Sequence, residues 1–266
     1  MEVVGYIASI LIGISLGLIG GGGSILTVPV LVYLFGVEPI IATGYSLFIV
    51  GATAAVGSVS YFRNGLVNVK TAVIFGIPAI AAVFITRAFV VPAIPKEVFS
   101  IGEFVVTKDL LVMVLFAILM IAASYSMIKK DKKVIDKNEN GQQEFNIPLI
   151  LVEGIVVGLL TGLVGAGGGF LIIPALVVLS KLPMKEAVGT SLLIIAAKSL
   201  IGFLGEGGNE HIDWSFLLMV VGFAIVGIFI GSALSKKIDG NKLKPAFGWF
   251  VLVMGIYIII KEVFLK

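Results

Sequence analysis

The run Gly20-Gly21-Gly22-Gly23-Ser24-Ile25-Leu26-Thr27-Val28-Pro29 constrains this chain more than any other stretch, because the chain writes it again as Gly165-Ala166-Gly167-Gly168-Gly169-Phe170-Leu171-Ile172-Ile173-Pro174. At a constant offset of 145 and without a gap, the 30 positions from 18 to 47 match those from 163 to 192 at 13 places. Shared apolar composition alone would give roughly three. Pro29 pairs with Pro174, Gly44 with Gly189 and Ser46 with Ser191, so the copies share their special residues as well as their apolar ones. The chain is an internal duplication, and one glycine-rich element has been built twice.

The solvent of the fold follows from composition. The 266 residues are 59% hydrophobic and 13% charged, whereas soluble domains carry about 25% charged residues. This is the composition of an integral membrane protein in contact with the lipid bilayer. With no Cys and a single His, disulfides, thiol chemistry and clustered transition-metal ligands are excluded. No catalytic residue, metal or cofactor is expected. A net charge of +3 is too small to suggest nucleic acid as a partner. Residues 1–18 open with Glu2 and run into glycines instead of a cleavage site, and are read as structure, not as a signal peptide.

In chain order the apolar stretches are 3–19, 25–35, 40–62, 67–90 and 110–128, then 147–164, 170–179, 187–203, 214–234 and 247–264. The segment after each glycine run is only about 11 residues or fewer, roughly 16 Å of helix, half of a 30 Å hydrocarbon core. Each is expected to be the returning arm of a hairpin: helix, glycine-rich break, half-helix. Three longer crossings follow in each half. The sequence therefore divides into a first transmembrane repeat, 1–128, a polar cytoplasmic linker, 129–146, and a second repeat, 147–266.

Two topologies compete, inverted halves with hairpins or parallel halves with interrupted spans. In the inverted arrangement one side collects Arg63, Lys70, the linker residues Lys129, Lys130, Lys132, Lys133 and Lys137, and Lys181, Lys185, Lys236, Lys237, Lys242 and Lys244. The other side holds Arg87, Lys96, Lys108, Lys261 and Lys266. That division, 13 against 5, satisfies the positive-inside rule, while the parallel arrangement divides the same residues evenly. The expected fold is an all-α polytopic membrane protein of two inverted repeats with both termini outside. Two short full spans in place of each hairpin give the same charge count, and loop charge does not separate those two.

A non-helical backbone inside a membrane must be buried in protein or line a watery cavity. The breaks therefore mark the interior. Each precedes a half-helix whose first amides lack intrahelical partners and carry the positive end of the macrodipole, an arrangement that attracts small anions. Two such half-helices entering from opposite sides bring their breaks together near the midplane, the layout of secondary-transporter sites. Isolated glycines are better explained by close helix packing, and the absence of a following Lys-Ser/Thr rules out a nucleotide loop. The candidate binding residues are Gly22, Gly23 and Ser24 in the first break and Gly167, Gly168 and Gly169 in the second. Ser46, Thr190 and Ser191 supply hydroxyls near the start of the following crossings. Lys198, the one basic residue that falls in no loop, is the candidate anion-attracting charge, two turns after Ser191 on the same face; its bland alternative is snorkelling to the interface. Arg87 reads as an interfacial snorkelling residue, Glu153 as either a proton carrier or merely wet, and His211 as a solvated loop residue.

The glycine-rich run followed by Pro in each half, Gly189-Thr190-Ser191 after the second run and the basic linker resemble the TauE/SafE family of sulfite exporters over essentially the whole chain. The resemblance implies movement of sulfite or an organosulfonate across the cytoplasmic membrane by secondary transport, with protons as the candidate coupling ion. The first copy departs from the second at Gly21, Ser24 and Tyr45, which face Ala166, Gly169 and Thr190. Rival readings are a passive anion channel using the same site, and a membrane enzyme, for which the interior offers almost no convergent acid, base or metal groups.

Overall fold

The computed structural model describes residues 2–101, 104–128, 147–178, 180, 182–205, 212–235 and 240–264. The expected linker, 129–146, and His211 lie outside the described residues. Almost all of the described chain is helical: α1 (Glu2–Ile19), α2 (Ser24–Tyr33), α3 (Pro39–Arg63), α4 (Val69–Ile85), α5 (Val91–Ala93), α6 (Lys108–Ile128), α7 (Ile147–Val164), α8 (Gly169–Val178), α9 (Met184–Leu204), α10 (Trp214–Ser235) and α11 (Gly240–Phe264). By length and composition, Pro39–Arg63, Val69–Ala93, Lys108–Tyr125, Met184–Leu204 and Trp214–Ser235 can each cross a membrane. Large apolar side chains such as Ile77, Phe229 and Val253 are more than half exposed. Such surfaces are stable in lipid and would be a liability in water. The protein is an all-α, multi-pass membrane protein.

Two features break the all-helix pattern. Two short strands, β1 (Glu97–Ile101) and β2 (Phe104–Thr107), pair antiparallel where the sequence reading left a connection. Between α4 and α5 the helix continues through one π-turn, Thr86–Val90. An extra residue in a turn rotates everything beyond it relative to the α-helical face.

The first glycine-rich element folds back on its own helix, and in the second Gly168 meets Thr161 of α7, the repeat equivalent of the Gly23–Leu16 contact. Added side-chain carbons show which backbones touch: one at Gly23, where α2 begins, would strike Ile12 and Leu16 of α1, and one at Gly5 would strike Phe35, just past the end of α2. α2 therefore runs antiparallel to α1, which excludes a single interrupted span. Its far end is held by Tyr6 against Phe35 (ring centroids 5.3 Å) and by the Tyr33 hydroxyl, which donates to the buried Glu262 carboxylate of α11 (3.0 Å).

The halves pack by exchange. α1 of the first half lies against α10 of the second, and α7 against α4; α3 lies against its counterpart α9, and α6 against α11. The directions are legible at the glycines. Gly13 and Gly17 meet Ala224, Ile228 and Gly231, so α1 and α10 are parallel, while Gly154, Gly158 and Gly162 meet Phe75, Ala79 and Thr86, so α7 and α4 are parallel too. Gly202 approaches Leu47, Gly51 approaches Leu200 and Gly189 approaches Tyr61, so α3 and α9 run in opposite directions; α6 and α11 do likewise. Glycines spaced by four on α1, α7 and α10 let these backbones approach closely, the small-residue packing expected of membrane helices.

Candidate functional site

The two breaks leave their helices in the same way. Gly20 (φ 73°) and Gly165 (φ 72°) are equivalent in the repeat and adopt the same left-handed conformation, which turns the chain off α1 and α7. Beyond that point they differ, because Gly167 and Gly168 also have positive φ and no other residue of the first break does. Serine at 24, where the second copy has Gly169, goes with this difference: its hydroxyl donates to Gly21 O (2.7 Å) and ties the first break to itself.

The breaks touch one another. Gly21 packs backbone to backbone on Gly169, and Gly167 lies against Ser24 and against Val50 of α3. Gly20 sits on Val188 and Ser191 of α9, and Gly165 sits on Thr43 of α3, the exchange-related pair of contacts. Ser191 donates to its own Val188 O (2.8 Å) and, at 3.5 Å, to Gly20 O. The candidates Ser24, Gly167, Gly168, Gly169 and Ser191 thus converge on one buried region at the junction of α2, α8, α3 and α9. Gly22 is buried in the same run.

Lys198 is completely buried, and its ammonium donates to Thr161 Oγ1 on α7 (2.8 Å). A side-chain carbon at Gly168 would lie 2.6 Å from Lys198 Nζ. The lysine therefore points into the second break and does not snorkel to the interface. Its partner is a neutral hydroxyl, and no carboxylate pairs with it among the described residues. A lysine deep in a membrane costs about 2.5 to 3.5 kcal/mol unless water, a partner or an anion compensates. The arrangement offers an anion an ammonium, a helix N-terminus and glycine backbone that no side chain covers.

Three placements differ from the sequence reading. Thr190 Oγ1 accepts from the Asn68 backbone N–H (2.9 Å), so this hydroxyl closes the α3–α4 loop and is not brought to the breaks. Gly23 faces α1, where it permits the hairpin to close. Arg87 is only 1% exposed and donates from Nη1 to Thr43 Oγ1 (3.0 Å), because the π-turn swings it into the protein instead of toward the interface. Sequence reasoning missed both this arginine and Thr161. Thr161 was findable in principle: it stands seven residues before Gly168 on the descending arm, two turns back. Ser46 is fully buried, with no hydrogen-bond partner for its hydroxyl among the described residues. Glu153 is partly exposed on α7.

The family described as "Sulfite exporter TauE/SafE" matches residues 6–258. A "Probable membrane transporter protein" of Xylella fastidiosa (strain 9a5c) is 32% identical over 253 residues, covering 94% of this chain and 91% of the relative. The "Probable membrane transporter protein YunE" of Bacillus subtilis (strain 168) is 28% identical over 260 residues, covering 93% of each. A third relative, "Probable membrane transporter protein MJ0441" of Methanocaldococcus jannaschii, is 28% identical over 274 residues, covering 97% of this chain and 94% of its own. No solved structure is significantly similar to the chain.

Proposed function

Since the chain belongs to the sulfite exporter TauE/SafE family, whose relatives are named membrane transporters and not enzymes, we propose that it is a secondary transporter of a small sulfur oxyanion, sulfite or an organosulfonate. The observation that carries this reading is the contact of the two glycine-rich breaks with one another, Gly21 on Gly169, beside the buried ammonium of Lys198 at Gly168. A small oxyanion has the charge to neutralise that lysine and the acceptor oxygens to take up backbone amides and hydroxyls. The bound anion would contact Gly22, Ser24, Gly167, Gly168 and Gly169, with Ser46 as a hydroxyl donor, Lys198 as the counter-charge, and Ser191 lining the site beside Gly20, whose carbonyl its hydroxyl engages. Gly23 acts by allowing the hairpin to close, and Thr190 is left out.

In the same reading the two repeats, 1–128 and 147–266, are inverted in the membrane and joined by a cytoplasmic linker. The opposed directions of α3 and α9, and of α6 and α11, support this, together with the loop-charge asymmetry. Rocking of one half against the other would then expose a fixed site to each side in turn. A proton gradient is the candidate driving force.

The test is flux of labelled sulfite, sulfoacetate, taurine and sulfate into proteoliposomes of the purified protein, with and without an imposed pH gradient. Saturable, gradient-dependent movement of at least one sulfur oxyanion is expected. Saturable carriage of none of them would contradict the reading, and a flux that grows linearly with concentration would favour a passive channel.

A further inference from the structure

We infer that the Gly165 end of the second break is a second anion station, built from Arg87, Thr43 and Ser46, and that together with Lys198 it favours doubly charged oxyanions. The inference rests on the proposed passage of an oxyanion along the breaks, and assigns to that passage an arginine placed by the sequence at the lipid interface.

Four observations converge. Arg87 is buried on a π-turn and bonds the Thr43 hydroxyl (3.0 Å). The backbone of Thr43 packs directly on Gly165. Ser46 follows Thr43 by three residues and precedes Val50 by four, and Val50 packs on Gly167, so these three positions share the face of α3 that covers Gly165 to Gly167. The Ser46 hydroxyl on that face is fully buried without a partner among the described residues. An unmade hydrogen bond of this kind is destabilising, and a visiting acceptor oxygen removes the penalty.

The exchange relation shows that this is not a packing feature of the repeat. Ser191, the counterpart of Ser46, is spent on Val188 O and Gly20 O. The residue 145 positions after Arg87 is Ser232, so the first break has no such arginine.

The two cations are successive stations. A side-chain carbon added at Gly205 would lie 3.2 Å from Arg87 Cβ, and Gly205 lies seven residues beyond Lys198 on the same stretch of chain. That places the backbone positions from which the two cations reach the break on the order of 10 Å apart along α9, with Arg87 toward the Gly165 end of the break and Lys198 at its Gly168 end. A guanidinium presents five donors in a plane, suited to an oxyanion. Because Coulomb attraction scales with ligand charge, losing Arg87 should weaken a dianion more than a monoanion.

The experiment compares kcat/KM for sulfite, mostly dianionic above neutral pH, with that for the monoanion methanesulfonate, in proteoliposomes of wild type, Arg87→Gln, Arg87→Lys and Thr43→Val. The sulfite-to-methanesulfonate ratio should fall about tenfold in Arg87→Gln, about 1.4 kcal/mol. It should largely recover in Arg87→Lys and fall by a smaller factor in Thr43→Val, which removes the hydroxyl that orients the guanidinium but keeps its charge. If Arg87→Gln lowers both substrates alike, or leaves both unchanged, the arginine only braces Thr43 or the helix, and the inference fails. Should the wild type carry neither substrate, the sulfur reading fails, and the arginine is judged instead by thermal stabilisation of the purified protein. Loss of phosphate stabilisation with chloride stabilisation kept in Arg87→Gln would support the station. Equal effects of the two anions, or none in the wild type, would overturn it.

Discussion

The ammonium of Lys198 on α9 is held 2.8 Å from the hydroxyl of Thr161 on α7, and both side chains lie against the α-carbon of Gly168. The descending arm of the second hairpin thereby aims the one fully buried lysine among the described residues at the glycine break of that same hairpin. The Thr161 hydroxyl also donates to Gly158 O (3.3 Å), so the lone pairs that receive the lysine are fixed in direction.

If Thr161 orients the lysine, Thr161→Val should raise the KM for sulfite about fivefold, about 1 kcal/mol, a part of the roughly 1.5–3 kcal/mol that a hydrogen bond to a charged group contributes. Thr161→Ser should remain near wild type. Flux kinetics on the two variants check this, and a Val variant with native KM would remove Thr161 from the account.

Glycines at the breaks and glycines on helix faces should fail differently. A side chain at Gly168 would meet Thr161 and Lys198 at positive φ, so Gly168→Leu should abolish transport in a protein that still inserts and purifies as a single species. Gly227→Leu would drive a side chain into the Ile10 carbonyl of α1 and should reduce the yield of folded protein. Expression, size-exclusion profile and flux of the two variants separate these outcomes.

Thr190→Val should leave the KM for sulfite within about twofold, since its hydroxyl serves the Asn68 amide. The cost should be stability, about 1 kcal/mol for one hydrogen bond, visible as a lower unfolding temperature. A large KM change with unaltered stability would return Thr190 to the site.

Much of this architecture is legible in the sequence for physical reasons. Duplication exposes the two breaks, the short length of the following segments makes a hairpin the simplest reading while leaving two short spans open, and Lys198 stands out because membrane helices rarely tolerate a charge without a use for it. What stays hidden depends on single residues of phase or on distant partners. Arg87 reads as interfacial because it stands near the outer end of its apolar stretch, and position along the helix does not show that a π-turn at Thr86–Val90 and the distant Thr43 hold it inside the protein. Thr190 and Ser191 are adjacent on one helix, and spacing alone does not reveal that one faces Asn68 and the other Gly20. The hairpin of β1 and β2 is missed because its strands are only five and four residues long, too short to establish a period of two against the apolar background.

The inverted arrangement makes a topological prediction that the absence of cysteine makes simple to test. Single cysteines at the exposed positions Asn64 and Lys96 lie at opposite ends of the Val69–Ala93 span. In intact cells an impermeant maleimide should label Lys96→Cys and not Asn64→Cys, and Asn140→Cys in the linker should behave like Asn64→Cys. The reverse pattern would overturn the orientation assigned from loop charge.

The central claim, that an oxyanion binds where the two breaks meet because Lys198 supplies the compensating charge, is tested most directly by sulfite flux through Lys198→Met. With wild type and variant reconstituted in equal amounts, the account predicts a KM raised at least about tenfold, about 1.4 kcal/mol of lost anion binding, with partial recovery in Lys198→Arg. Identical kinetics in wild type and Lys198→Met would contradict it.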